Sequence, residues 1–241
     1  MSTPLGVTGS TGNLGGRVAR LLAADGVEQR LVVRDPSRVP SLPASSVARA
    51  SYGDFEAVRR ALDGLATVLM VSGSESVARV EEHKTFVDAA AAAGVEHLVY
   101  ISFYGAAPDA TFTLARDHFA TEEHITSSGM AWTLLRDNLY LDFFPLLAGA
   151  DGVIRGPAGE GHVAAAAQDD IAPAAVAVLK DPASRGPDLQ PDRSFGDHAQ
   201  GGGGGDEPRG READHLPRRD SRGGLRVAPP TPRPTGRSMP G

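Results

Sequence analysis

Leu5-Gly6-Val7-Thr8-Gly9-Ser10-Thr11-Gly12-Asn13-Leu14-Gly15 decides the fold. The first part fits a short buried strand, and a glycine-rich turn follows at once. Gly9 permits a tight exit from the strand, Gly12 lets backbone approach a pyrophosphate, and Gly15 lets the next helix pack closely on the sheet. That helix then turns its free N–H groups toward the phosphates. A glycine pattern alone is a weak signal. Set between strand and helix at the head of an alternating chain, it reads as a dinucleotide site, with Gly9, Thr11, Gly12, Asn13, Leu14 and Gly15 as candidates. The competing reading is a glycine-rich loop without a ligand.

Outward from the turn, apolar runs and helical spacings alternate. Leu14, Val18, Leu21 and Leu22 place a helix over 14–24. Strands are expected at 29–34, 47–52, 67–71, 97–102 and 131–136. Helices are expected at 55–62, from a Ser76 cap to about Ala93 with Gly94 as the stop, and over 116–127. Strands apolar almost throughout imply a parallel sheet covered on both faces. The expected fold is therefore α/β, a Rossmann-type doubly wound sheet with its ligand crevice at the carboxyl ends of the strands.

Composition narrows the chemistry. The 241 residues contain no Cys, which excludes disulfides, thiolate metal sites and Cys nucleophiles. A net charge of −6 argues against a general nucleic-acid or membrane-surface binder. No charged-then-apolar leader and no bilayer-length apolar run are visible, so a cytoplasmic protein is expected. No histidine has metal-ligand spacing with a second ligand, and no metal is expected. The sequence leaves the oligomeric state open.

Arg34 is the first polar residue after Val32-Val33 and can fork onto a ribose 2′-phosphate, which favours NADPH, with NADH possible. Asp35 before Pro36 is either the start of a turn or a ribose-binding acid. For catalysis the chain lacks a Tyr-xxx-Lys pair. The candidates are His118, which shares a helix face with Glu122, and Tyr140 after the sixth strand. A surface pair competes with the first reading, and an apolar body packed on a helix competes with the second.

GVTGSTGNLGG, VVRDPSR, YGDFEAVRRALDG, VLMVSGSE, VDAAAAAGVEHLVYIS, SGMAWTLLRDNLYLDFF and GPAGEGHVAAAAQDDIA, in that order, resemble the NmrA-like atypical short-chain dehydrogenases, and among them the NAD(P)H:quinone oxidoreductases of type 2. The resemblance covers nearly all of residues 4–183. It implies that Asp54 and Phe55 lie near the adenine, Ser72 and Gly73 line the nicotinamide-ribose side, and Ser102 and Phe103 approach the nicotinamide. It also aligns His118 with the missing Lys. The implied activity is hydride transfer from NAD(P)H to a quinone or similar small carbonyl acceptor. A non-catalytic NAD(P)-binding sensor is the alternative, since the acid–base pair is missing.

The chain is expected to divide into a dinucleotide-binding domain over 1–150, the start of a substrate-side region over 151–185, and a disordered tail over 186–241. That tail holds 12 of the 29 Gly, 9 of the 18 Pro and the run Gly201–Gly205, a composition that cannot build a core. Its 9 Arg nearly balance its 8 Asp and Glu, as in a solvated segment. Read one base later with free third bases, the codons from Gly186 permit YNLTGP, which fits the YxLTGP type of strand that the resemblance implies there. A slip of reading frame near residue 185 is therefore expected, with a truncated substrate region and a compromised product as its consequence.

Overall fold

The computed structural model describes residues 4–156, 162–181 and 183, with the backbone of 218–219 and 225–226. It divides into two compact units, Met1–Asn138 with Ala166–Gly203, and Leu139–Ala165 with Gly204–Gly241.

The first unit holds a parallel sheet of β1 (Leu5–Thr8), β2 (Gln29–Val33), β3 (Ser45–Arg49), β4 (Thr67–Val71), β5 (His97–Phe103) and β6 (Ala131–Asp137). The strand order is β3-β2-β1-β4-β5-β6. Every pairing is parallel, with Val7 opposite Leu31 on one side and Leu69 on the other. This is the doubly wound Rossmann arrangement, whose order reverses between β1 and β4. Alternate strand residues Val32, Val68, Met70, Leu98, Tyr100 and Leu134 join one core with Val58, Leu62, Phe86, Val87 and Ile125 of the helices α2 (Phe55–Leu62), α3 (Arg79–Ala92) and α4 (Thr113–Ser127). Their neighbours Leu31, Val33, Leu69, Val99, Ile101 and Leu135 are buried too, so both faces of the sheet are covered. Helix α1 (Asn13–Ala24) packs against the helix Gln168–Lys180, where Arg17 meets Asp169 at 2.5 Å and Gln168 at 3.1 Å.

Three element positions differ from the sequence expectation. Strand β3 lies at 45–49, not 47–52, because an edge strand with Val47 half exposed takes its register from backbone pairing with β2 and not from apolar residues. Helix α3 begins at Arg79 with Ala78 at its cap position; Ser76 instead accepts the Arg79 N–H through its carbonyl, in a turn. Helix α4 begins at Thr113, one turn before the expected start.

In the second unit, Leu141–Phe143 form a 3-10 turn, α5 spans Phe144–Leu147 and β7 spans Val153–Ile154. The helix Gln168–Lys180 is α6 in chain order. Two short strands, β8 (Arg218–Arg219) and β9 (Leu225–Arg226), extend β7 as an antiparallel ribbon. These four residues are the described part of 186–241, where almost no regular structure is expected; a two-residue pairing needs backbone groups and no core. The remaining expectation for 186–241, with the frame slip, lies outside the described residues. Among the described residues no helix is long and apolar enough to cross a membrane.

Candidate functional site

A cavity of about 440 Å³ opens where the strand order reverses, within the range of small-ligand sites. Its walls are strand exits: Gly9, Thr11 and Gly12 after β1, Arg34 after β2, Tyr52 after β3, and Ser72–Ser74 after β4, with Glu82 from α3. Parallel strands all end on one rim, so residues far apart in sequence converge there.

The glycine turn is built tightly. Gly9 has φ +66°, and a Cβ on it would lie 2.9 Å from the Val71 Cβ. A Cβ on Gly15 would lie 2.4 Å from the Gly9 carbonyl oxygen, so α1 meets the end of β1 backbone to backbone. At Gly12 the nearest atom to a Cβ is the Gly9 oxygen at 3.3 Å. The Gly12 position is therefore open toward the cavity, while Gly15 is closed by the fold. Gly12 caps α1 without a side-chain hydrogen bond, and the first turn of α1 carries no acidic residue. Its free N–H groups and dipole suit an anion. Of the remaining turn candidates, Asn13 is exposed, while Leu14 and Gly15 are buried beneath the turn.

Arg34 is exposed on the cavity wall and makes no hydrogen bond or ion pair among the described residues. Asp35 is committed elsewhere: its Oδ1 accepts from the Ser37 N–H at 3.0 Å and Ser37 Oγ at 2.7 Å, which holds its carboxyl below the usual range. This turn commits Asp35 Oδ1 to capping the 3-10 turn Pro36–Arg38. Asp54 is likewise the N-cap of α2, accepting from the Ala57 N–H at 3.0 Å, with Phe55 beside it; neither lines the cavity.

Beneath the rim, Tyr52 donates to the Val71 carbonyl at 2.6 Å and takes the Thr8 hydroxyl at 2.5 Å, while the Val71 N–H donates to Thr8 Oγ1 at 2.9 Å. This ring of hydrogen bonds ties the ends of β1 and β4 to the segment after β3. Burial pushes the Tyr52 hydroxyl pKa up, so it stays protonated.

Ser72 and Gly73 line the cavity, and Gly73 is gripped from behind. Its N–H donates to His83 Nε2 at 2.9 Å and its carbonyl accepts from Arg79 Nε at 2.9 Å. The proton of the His83 ring therefore sits on Nδ1, facing Thr121 Oγ1 at 3.0 Å. Buried Arg79 also reaches Asp117 Oδ2 at 3.2 Å and His118 Nε2 at 3.0 Å. His118 thus keeps its proton on Nδ1, directed at the Tyr100 hydroxyl at 2.9 Å. Burial, with the Arg79 charge nearby, lowers both imidazoles to about 3.

His118 and Glu122 are both buried rather than a surface pair. Glu122 holds Arg136 in a fork of 2.9 and 2.6 Å and accepts from Ser102 Oγ at 2.5 Å. Phe103 packs between Phe112 and the His118 ring, with centroids 5.3 and 6.0 Å away. His118, Ser102 and Phe103 do not line the cavity. Tyr140 belongs to the second unit, where it precedes the 3-10 turn and packs on Phe143 at 5.7 Å. Among the described residues no three His, Asp or Glu gather as metal ligands.

Tyr52, Glu82 and the Arg79–His83–Thr121 group were missed by sequence reasoning. A signal existed for His83: it shares the i, i+3, i+4, i+7 spacing of buried Phe86, Val87 and Ala90. A polar residue on a buried stripe requires a partner.

Residues 9–182 match the family described as NAD(P)H-binding. Quinone oxidoreductase 2 of Escherichia coli K12 is 35% identical over 189 residues, covering 76% of this chain and 66% of that protein. The NAD(P)H azoreductase of Xenophilus azovorans is 32% identical, covering 73% and 63%. The crystal structure of an E. coli NADPH-dependent quinone oxidoreductase complexed with NADPH superposes with a TM-score of 0.67 at 34% identity, covering 74% and 65%. The chain spans just under two thirds of the length of these relatives.

Proposed function

The chain belongs to the NAD(P)H-binding, NmrA-like family of oxidoreductases, and on that premise we propose that it is an NADPH-dependent reductase acting on a quinone or similar carbonyl acceptor. The observation that carries the reading is one cavity lined by both the open Gly12 turn and Arg34, which is unpaired among the described residues. The turn suits a pyrophosphate and Arg34 a 2′-phosphate, since its guanidinium is free while Asp35 is locked in a turn. We assign Gly9–Gly15 to the pyrophosphate and Ser72 and Gly73 to the nicotinamide end; Asp54, Phe55, Ser102 and Phe103 lie outside the cavity walls.

The bound dinucleotide supplies the hydride. The reduced acceptor takes its accompanying proton from water, because the His118 ring directs its proton at Tyr100 and accepts at its other nitrogen. The chain's task is placement, which is what hydride transfer to a quinone chiefly needs. Alcohol oxidation, which needs a base to take a hydroxyl proton, is not expected.

Stopped-flow mixing of NADPH with the full chain and 1,4-benzoquinone, followed at the NADPH absorbance, tests this. Saturable NADPH oxidation is expected, slower with NADH. Saturable NADPH binding without oxidation overturns the enzyme reading in favour of a cofactor sensor. No binding of either nucleotide overturns the cavity assignment.

A further inference from the structure

We propose that His83 and Arg79 are positioning residues: they clamp the Gly73 peptide from behind, one on each polar group, and so set the wall against which the nicotinamide half of the dinucleotide rests. The clamp follows from geometry alone. What the wall touches rests on the dinucleotide reading above.

Gly73 lies just beyond β4, where strand pairing no longer satisfies the backbone. Both of its polar groups are taken by side chains of one helix, separated by one helical turn on α3. The absence of a side chain at Gly73 matters, since a Cβ there would stand 3.2 Å from His83 Nε2 and displace the ring. Neither jaw is free to swing. His83 is held at Nδ1 by Thr121, and Thr121 donates onward to the Asp117 carbonyl at 2.8 Å. Arg79 is held by the Asp117 carboxylate and by His118, both on α4. Helix α4 therefore backs the clamp and α3 carries it. The ring edges of Tyr52 and Tyr100 against His83, at 5.8 and 6.0 Å, fill the space around it.

This arrangement goes beyond packing. A buried apolar pair would fill the volume equally well, and a buried Arg and His with no partners would cost several kcal/mol. Here every polar atom of the clamp ends on Gly73 or on a group that holds the clamp. A cavity-lining peptide with both groups fixed cannot flip or retreat without leaving a buried donor and acceptor unmade.

Two substitutions separate the two nitrogens of His83. His83→Gln places an acceptor where Nε2 stood and keeps the Gly73 contact. His83→Asn places its amide where Nδ1 stood and keeps the Thr121 contact alone. Both disturb the packing to a similar degree. The readouts are amide hydrogen exchange at Gly73 in the cofactor-free, isotope-labelled full chain, and the Kd values of NADPH and of the adenosine-half fragment 2′,5′-ADP. The Gly73 amide of His83→Gln should exchange as slowly as wild type, and that of His83→Asn at least about tenfold faster, as expected when a buried hydrogen bond is lost. His83→Asn should weaken NADPH about tenfold and leave 2′,5′-ADP unchanged, while His83→Gln preserves both.

Equal acceleration of Gly73 exchange in the two variants overturns the clamp. Selective acceleration with unchanged NADPH affinity, or equal losses for NADPH and the fragment, overturns the positioning of the nicotinamide half. If the wild-type chain binds neither ligand, the dinucleotide reading falls together with the positioning statement, and the exchange arm still decides the clamp. Should His83→Asn not fold, Thr121→Val, which takes away the acceptor that orients the ring, serves in its place with the same expected outcomes.

Discussion

A single methyl or isopropyl group at two glycines three residues apart separates fold from binding. At Gly15 a Cβ falls short of ordinary contact with the Gly9 oxygen by about 1 Å, and it also presses on the Gly9 carbonyl carbon and the Thr8 oxygen. Helix α1 would have to withdraw from β1, and overpacking of this kind costs about 1–3 kcal/mol. At about 2–4 °C per kcal/mol, Gly15→Ala should lower Tm by about 2–12 °C. At Gly12 the same carbon meets one atom at 3.3 Å, and φ is −97°, ordinary for any residue. Gly12→Val should therefore cost about 1 kcal/mol as a poorer cap, with a small shift of the Gly9 oxygen beside the new Cβ. Its methyls would stand over the first N–H groups of α1, where the pyrophosphate is assigned. The assay is thermal unfolding with and without NADPH. At 100 times Kd the wild-type chain should gain about 2.7 kcal/mol, visible as an upshift of about 5–11 °C. Gly12→Val should unfold a few degrees below wild type and show no upshift. A wild-type upshift in Gly12→Val would place the nucleotide elsewhere, and an unchanged Tm in Gly15→Ala would refute the steric argument.

Arg34→Ala should raise the Kd of NADPH about tenfold or more through loss of a charge-assisted contact, with NADH within about twofold; equal losses would show that Arg34 does not read the phosphate. Acid should destabilise the fold through His83 and His118. Both rings stay neutral in the folded chain to about pH 3, whereas unfolded imidazole protonates below about 6.5. Stability from this source is therefore complete above pH 6.5 and falls as pH drops toward 3. Urea midpoints between pH 7 and pH 5 should fall accordingly, with about half the slope in His83→Gln, and equal slopes would contradict a neutral His83. His118→Ala should cost about 1–3 kcal/mol of stability, because Arg79 Nη2 loses its acceptor. Its kcat with benzoquinone should change less than about tenfold, whereas a general acid is worth about 100-fold or more.

The sheet was legible because β1, β2, β4, β5 and β6 are apolar runs bounded by glycine or polar turns, and their alternation with helices has few topological solutions. Strand β3 was legible as an element but not in register, since Val47 is its one large apolar residue and is half exposed. The glycine turn announced the cavity, and Arg34 followed from its place after β2. What remained hidden were the partners. Arg79 to His118 and His83 to Thr121 span 39 and 38 residues of sequence. No local spacing encodes such a pair; it exists only once α3 and α4 lie side by side. Asp35 read as either a ligand or a turn residue, because a carboxylate just before a helical turn suits both uses, and the capping role of Asp54 went unread.

The ring formed by Thr8, Tyr52 and Val71 joins three strand exits into one latched floor. Flexible sites lose affinity because the ligand must first order them. In this cavity the floor is already fixed by the fold's own hydrogen bonds, so a dinucleotide meets a finished surface and must arrange only the exposed side chains at the rim.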